Sequence, residues 1–310
     1  MRVLVAGATG AMGKQLVPRL TGAGHEVFAM TRNAAAKARL SELGAVPVVA
    51  DALDRGQVRA AVRDAKPDVI VHQLTAIGHI DTRHFDRSFA ATDRLRIEGT
   101  DNLLAAGREA GVRRFVAASN GAFTYARTGG RAKTEQDPLD PAPIKQMAPM
   151  IAAVRHLEEA VLGAHRTEGI VLRYGAFYGP GTSMAPGSDQ LEAIRKGKFP
   201  IVGNGGGVWS FVHIADAAEA TVAAIQKGKP GIYNIVDDDP APVAEWLPEL
   251  ARKLGARKPM HVPRWVGRLA AGEAGVVLMT ELRGASNAKA KRELGWRPAH
   301  PSWRDGLRVS

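Results

Sequence analysis

The feature that most constrains this chain is a heptapeptide near its start, Gly7-Ala8-Thr9-Gly10-Ala11-Met12-Gly13, directly behind the apolar run of residues 3–6. Glycines at that spacing, after a strand and before a helix, answer a steric problem. Gly7 permits the tight turn off the strand. Gly10 lets the backbone approach a diphosphate with no Cβ in the way, and Gly13 allows close packing of helix on strand. Free amides at the helix start then meet the anion, with Thr9, Ala11 and Met12 completing the turn.

The rest of the first half alternates short β-branched runs with helical patterns. Residues 3–6, 26–30, 46–50, 69–71 and 115–117 read as buried strands. The clearest helix runs over 92–110, with Ile97, Leu103 and Leu104 on one face and Gly111 as a left-handed cap. Strict alternation predicts an α/β Rossmann-type, doubly wound parallel sheet covered on both faces. Pro18, inside the first helix, is expected to remove a hydrogen bond and kink it. Residues 170–172 read as one more strand, and a loop-rich stretch follows with Gly175, Gly179, Pro180, Gly181, Pro186 and Gly187. The expected organisation is a nucleotide-binding domain over 1–174, completed by 211–236, and a smaller irregular substrate lobe from 175–210 and 237–310.

The end of the second strand bears on the cofactor. It reads Met30-Thr31-Arg32-Asn33, with no carboxylate to repel a 2′-phosphate and with Arg32 placed to grip one. NADP is therefore expected over NAD. Asp51, after the third strand, either accepts from the adenine amino group or caps the helix that begins near Leu53. Ala52 follows it.

Bulk properties remove other classes. The 310 residues contain no cysteine, which excludes disulfides, thiolate nucleophiles and cysteine zinc sites. No apolar run reaches the length of a membrane span, and the first strand begins too early for a signal peptide, so a soluble, cytoplasmic protein without a membrane partner is expected. The formal net charge is +11, yet the basic residues form no block and aromatic residues are 5% of the chain. Nucleic acid is not the expected partner, and a small-molecule substrate is.

On these residues the chain resembles the extended short-chain dehydrogenase/reductases, the group of nucleotide-sugar epimerases and dihydroflavonol reductases. GATGAMG matches their phosphate loop. DVIVHQLTA (68–76) resembles their fourth strand and the segment along the nicotinamide, which places Leu74, Thr75 and Ala76 beside the cofactor. GTDNLLAAGREAGVRRFVAAS (99–119) resembles their long helix and fifth strand. LRYGAFYGPGT (172–182) resembles the sixth strand and its turn, and implies that Tyr174, Gly175 and Phe177 pass beneath the nicotinamide. SFVHIADAAEA (210–220), GIYNIVDD (231–238) and the segment 287–306 resemble later blocks, with Trp209 in the substrate lobe. The resemblance also implies a homodimer through the long helices.

The family's catalytic apparatus is a Ser or Thr after the fifth strand, then Tyr and Lys four residues apart on the next helix. Here Asn120 stands at the Ser position, Met150 at that of Tyr and Val154 at that of Lys, with Glu158 one turn further. The proton donor and its charge are replaced by a thioether and an alkyl group. The remaining candidates for chemistry are the amide of Asn120, the phenol of Tyr125 and the imidazole of His79, with His84 nearby. Arg173 is expected to anchor the sixth strand. Met147 and Met150 should make the pocket apolar. No metal is expected. The reading is an NADP-dependent oxidoreductase moving hydride to or from a small, apolar carbonyl, enone or imine. An NADP-binding redox sensor without turnover, or an epimerase or dehydratase using the cofactor transiently, are the rivals.

Overall fold

A computed structural model describes residues 1–307. Near-continuous apolar runs form strands buried on both faces, as a parallel sheet requires. In chain order the first half gives β1 (Arg2–Ala6), α1 (Ala11–Gly22), β2 (Glu26–Thr31), α2 (Lys37–Glu42), β3 (Val46–Val49), α3 (Arg55–Ala65), β4 (Val69–His72), α4 (Phe85–Arg94), α5 (Thr100–Glu109) and β5 (Arg114–Asn120). There follow β6 (Ala132–Lys133), α6 (Ala148–Leu162), β7 (Glu168–Tyr174), β8 (Ala176–Tyr178), α7 (Asp189–Arg195), β9 (Ile201–Val202), β10 (Val208–Trp209), β11 (Phe211–His213), α8 (Ile214–Lys227) and β12 (Gly231–Ile235). The chain continues through β13 (Ala241–Pro242), α9 (Val243–Lys253), β14 (His261–Val262), α10 (Arg264–Thr280), β15 (Gly284–Ala285), α11 (Ala288–Leu294) and α12 (Trp303–Gly306).

Seven strands form one parallel sheet in the order β3-β2-β1-β4-β5-β7-β12. Side chains alternate across it. Val3 and Val5 join the core beneath α1, α8 and α11, while Leu4 and Ala6 join the core beneath α3, α5 and α6. Strand order reverses between β1 and β4, which opens a crevice at the carboxyl ends of Ala6 and His72.

Three expectations need correction. The long helix begins at Phe85, and a π-turn over Leu95–Gly99 joins α4 to α5. That extra residue rotates the face, so Ile97 is 36% exposed while Leu103 is buried. Pro18 lies inside an uninterrupted α1. Its missing donor orphans the carbonyl of Lys14, an exposed residue whose carbonyl water can serve. The lobe assigned to 237–310 also does not hold throughout. Ala290, Leu294 and Trp296 pack into the sheet's own core beside α8, because α11 lies against β12.

The lobe has a separate aromatic core in which Trp209, Phe211, Trp246 and Trp303 meet in tilted and edge-on pairs at centroid distances of 5.1 to 6.0 Å. No helix among the described residues is long and apolar enough to cross a membrane.

Candidate active site

The phosphate turn is fixed by contacts that exclude side chains. Gly7 has φ +93°, and a Cβ there would lie 2.7 Å from the carbonyl oxygen of Gln73. A Cβ on Gly13 would lie 2.3 Å from the oxygen of Ala8, so α1 rests on the turn itself. Gly10 caps α1 with no side chain, and no acidic residue occupies the first turn. The amides of Ala11, Met12 and Gly13 have no acceptor within the helix and carry its positive dipole end.

Beside this turn lies a cavity of about 170 Å³ lined by Gly7, Thr9, Gly10, Met30, Thr31, Arg32, Ala50, Ala52, Gln73, Leu74, Thr75 and Leu95. Seven of the expected cofactor residues thus converge: Gly7, Thr9, Gly10, Arg32, Ala52, Leu74 and Thr75. A small-residue cradle, free helix-end amides and an exposed guanidinium fit a dinucleotide. Arg32 has no carboxylate partner among the described residues. The strand ends Met30, Thr31, Ala50 and Gln73 were not singled out from sequence, although each closes a legible strand. Leu95 had no signal, because the π-turn that presents it has none.

Asp51 is not part of that lining. Its Oδ1 accepts the Leu53 amide at 3.0 Å, and the helix cap is Asp54, which accepts from Gln57. Ala76 is exposed and donates to Thr92 Oγ1 at 2.9 Å. Tyr174 is buried, and its hydroxyl meets Gln73 Nε2 at 3.1 Å and Thr221 Oγ1 at 2.7 Å. Burial pushes that phenol up to about 12. Gly175 is required by close approach, since a Cβ would sit 2.7 Å from the oxygen of Ser210. Phe177 packs on Tyr174 at 5.2 Å.

His72 supports the cavity wall. Its Nδ1 accepts the Leu74 amide at 3.2 Å and its Nε2 meets Thr100 Oγ1 at 3.1 Å. Complete burial brings its pKa down to about 4, so the ring is neutral and its acceptor stays available at physiological pH.

The residues expected to do chemistry separate. Asn120 closes β5 beside Tyr174 in register. Its Oδ1 accepts the amides of Ala122 at 2.9 Å and Phe123 at 3.2 Å, which fixes the amide plane. Its Nδ2 has no hydrogen-bond partner among the described residues. Tyr125 is turned away. Its hydroxyl donates to Asn234 Oδ1 at 2.5 Å and its ring lies 5.0 Å beneath the Arg173 guanidinium. Burial raises that phenol further, so Tyr125 is a packing residue rather than a free proton donor. His79 is exposed in the extended segment after β4, and His84 is tied to Asp81 at 2.9 Å.

The helix α6 contains neither tyrosine nor lysine, and Met150 and Val154 are fully buried on it. Glu158 holds Arg173 by two bonds of 2.8 and 2.6 Å and accepts from Ser119 at 2.7 Å. Arg173 is therefore an anchor. Phe123 meets Trp209 edge-on at 5.6 Å, and Met147 joins the same apolar cluster. His213, Asp216 and His300 lie within 4.8 Å of one another. The two rings stack at 3.9 Å, His213 Nδ1 accepts the Ala215 amide at 3.3 Å, and the two Asp216 oxygens accept the amides of Ala299 and His300. That cluster ties down the C-terminal segment.

A Rossmann sheet with this cradle defines a dinucleotide-dependent class, and residues 3–236 match the NAD dependent epimerase/dehydratase family, to which the chain belongs. Its curated relatives include a 3-diazoavenalumate denitrifying reductase of Streptomyces, 46% identical over 99% of both chains. Another is a 4-hydroxy-2-methyl-3-oxo-4-farnesyl-3,4-dihydroquinoline-1-oxide ketoreductase of Stigmatella aurantiaca, 28% identical over 99% of this chain and 96% of its own. Among solved structures, UDP-glucose 4-epimerase of Thermus thermophilus in complex with NAD superposes with a TM-score of 0.75 at 26% identity, covering 100% of this chain and 97% of that one. The protein is an NAD(P)-dependent oxidoreductase.

Proposed function

We propose that the protein is an NADP-dependent reductase for a small, apolar acceptor that takes hydride without a proton from the protein. The observation that carries this is α6, where buried Met150 and Val154 stand at the positions that the family gives to its tyrosine and lysine. When bound, the reduced dinucleotide supplies a hydride. A carbonyl, enone or imine polarised by hydrogen bonding would take its proton from solvent, whereas an aryl diazonium needs none: hydride replaces the diazonium group, which leaves as nitrogen, so this electrophile is the favoured acceptor. The name of the 46%-identical relative supports testing that class first.

The chain's own residues bind, orient and exclude water. Helix-end amides of Ala11, Met12 and Gly13 hold a diphosphate, and Arg32 holds a 2′-phosphate by charge-assisted bonds. His72 and Gln73 fix the wall at Leu74 and Thr75. Asn120, its plane locked by Ala122 and Phe123, directs Nδ2 hydrogens at charge developing on the acceptor. Phe123, Trp209, Met147 and Met150 provide an apolar environment for an aromatic body.

The test is oxidation of NADPH at 340 nm with a panel of aryl diazo acids, enones and ketones, with nitrogen release measured for the diazo arm. Turnover with a profile flat from pH 6 to 9 is expected. A rate rising on a single ionisation near the tyrosine range would overturn the proton-free reading. Asn120→Ala should lower kcat by roughly 100-fold, and an unchanged kcat removes that role. Arg32→Ser should raise KM for NADPH by roughly 10–100-fold with NADH unaffected. Equal use of both dinucleotides by the natural chain overturns the NADP assignment.

A further inference from the structure

The helix α10 is broken at Gly272, which has φ +71°. In its first half, residues 264–271, only Gly267 is buried, against Val202. Trp265 and Leu269 stand four residues apart, hence on one face, and are 65% and 71% exposed. Met260, just before β14, is 74% exposed. These are the three most exposed large apolar side chains among the described residues. The other four tryptophans, Trp209, Trp246, Trp296 and Trp303, are all buried.

The charge around them is one-sided. From Arg257 to Gly272 the sequence carries Arg257, Lys258, His261, Arg264 and Arg268 and no acidic residue. Arg264 reaches Glu281 and Arg268 reaches Glu273 at its near edge. Arg257 and Lys258 have no carboxylate within reach among the described residues. The half-helix is held from behind, since Arg83 Nε and Nη2 donate to the carbonyls of Ala270 at 2.8 Å and Leu269 at 3.0 Å.

We propose that Met260, Trp265 and Leu269 are an interfacial anchor by which the protein docks on an anionic lipid surface. The apolar side chains enter the acyl boundary, and Arg257 and Lys258 lie among the headgroups. Two large side chains on one face of a half-helix, with Met260 exposed ahead of it, suit insertion into a fluid layer, and an indole with one polar edge suits a bilayer interface. Cations without local carboxylates complement acidic headgroups. A second copy is disfavoured as occupant of this face, because a symmetric contact would set Arg257 and Lys258, which have no carboxylate partners among the described residues, against their own counterparts.

Trp265 is its own reporter. The experiment uses the full chain with NADP bound and vesicles of phosphatidylcholine alone or mixed equally with phosphatidylglycerol. With the mixed vesicles, Trp265 emission shifts to the blue, acrylamide quenching falls, and the protein cosediments. Affinity is expected to drop about ten-fold or more on phosphatidylcholine alone or in 0.5 M salt. Trp265→Phe keeps cosedimentation and loses the spectral change. Trp265→Ser with Leu269→Ser loses cosedimentation while dinucleotide binding stays unchanged, which separates loss of the anchor from misfolding. Absence of any shift with anionic vesicles overturns the proposal. So does equal protection of Trp265 by poly-glutamate, which assigns the face to an acidic protein. A concentration-dependent shift without lipid overturns it in favour of a second copy.

Discussion

The two halves of the molecule are held together by different chemistry. In the nucleotide half, a sheet of seven parallel strands is tied by its own backbone, and the cofactor cradle is made of amides and missing side chains. Around the lobe's aromatic core lie β9, β10, β13 and β14, two residues each in two short backbone ladders, and carboxylates tie the C-terminal segment onto that core. Asp237 takes those of Asp239 at 3.2 Å and Trp303 at 2.9 Å, while Asp239 takes the Ser302 hydroxyl and Arg304. Cofactor binding in the first half is therefore sensitive to added atoms, and the anchoring of the C-terminal segment in the second to charge.

Glycines test that contrast most strongly. Gly13→Val places branched carbon where even a Cβ meets the Ala8 oxygen at 2.3 Å. Dinucleotide affinity by calorimetry should fall at least about 100-fold, roughly 3 kcal/mol. Gly255→Ala, at φ +66° with nothing near its Cβ, should destabilise by only about 1 kcal/mol. Equal effects would end the distinction.

Comparable in size is the effect at the seam between α6 and the sheet. Glu158→Ala strips both bonds from Arg173, whose side chain is 4% exposed and whose Nη1 already lacks a partner. A loss of about 3–5 kcal/mol is expected in denaturant titration. A change below 1 kcal/mol would show that water reaches the pair.

The halves should also answer pH in opposite directions. His72, held down to about 4 in the fold against about 6.5 unfolded, contributes stability that is complete above pH 6.5 and lost as pH falls toward 4. Protonation also removes the acceptor of the Leu74 amide, so cofactor binding weakens with it. Asp237, pushed by burial up to about 8 from 3.8, binds its proton more tightly in the fold. Stability from this group falls as pH rises from 4 to 8. Each limb should amount to something on the order of 2 kcal/mol. His72→Asn should flatten the acidic limb and Asp237→Asn the alkaline one, read by thermal unfolding. Either variant leaving its own limb intact refutes the assignment.

The same contrast explains what the sequence disclosed. Strands buried on both faces announce themselves as apolar runs, and the phosphate turn does so through glycines whose reason is local sterics. The strand ends were legible to within a few residues for the same reason. Tyr125 was not, because its partner Asn234 is 109 positions away and no local pattern encodes that bond. Leu95 entered the cavity only through a π-turn, which leaves no periodicity to read. Trp265 reads like any core tryptophan until the fold leaves it outside.

The smallest effect concerns the joint between the halves. Arg83 comes from the 3-10 turn Thr82–His84 that follows the cavity wall, and it caps the carbonyls ending the first half of α10. A guanidinium there satisfies two orphaned acceptors and opposes the negative end of a short helix dipole. Both bonds are exposed, so global stability should barely move. The local opening of residues 264–271 should not be so indifferent, because Gly272 already breaks the helix behind them and only Gly267 packs. Arg83→Met keeps the aliphatic stem and removes the donors. Amide hydrogen exchange over 264–271 should accelerate about five-fold, with the sheet of the nucleotide half unchanged. Acceleration spread equally over both halves would mean that the turn is a structural element of the whole fold. Acceleration confined to the half-helix would identify Arg83 as the latch that sets the position of the exposed ridge against the cofactor half.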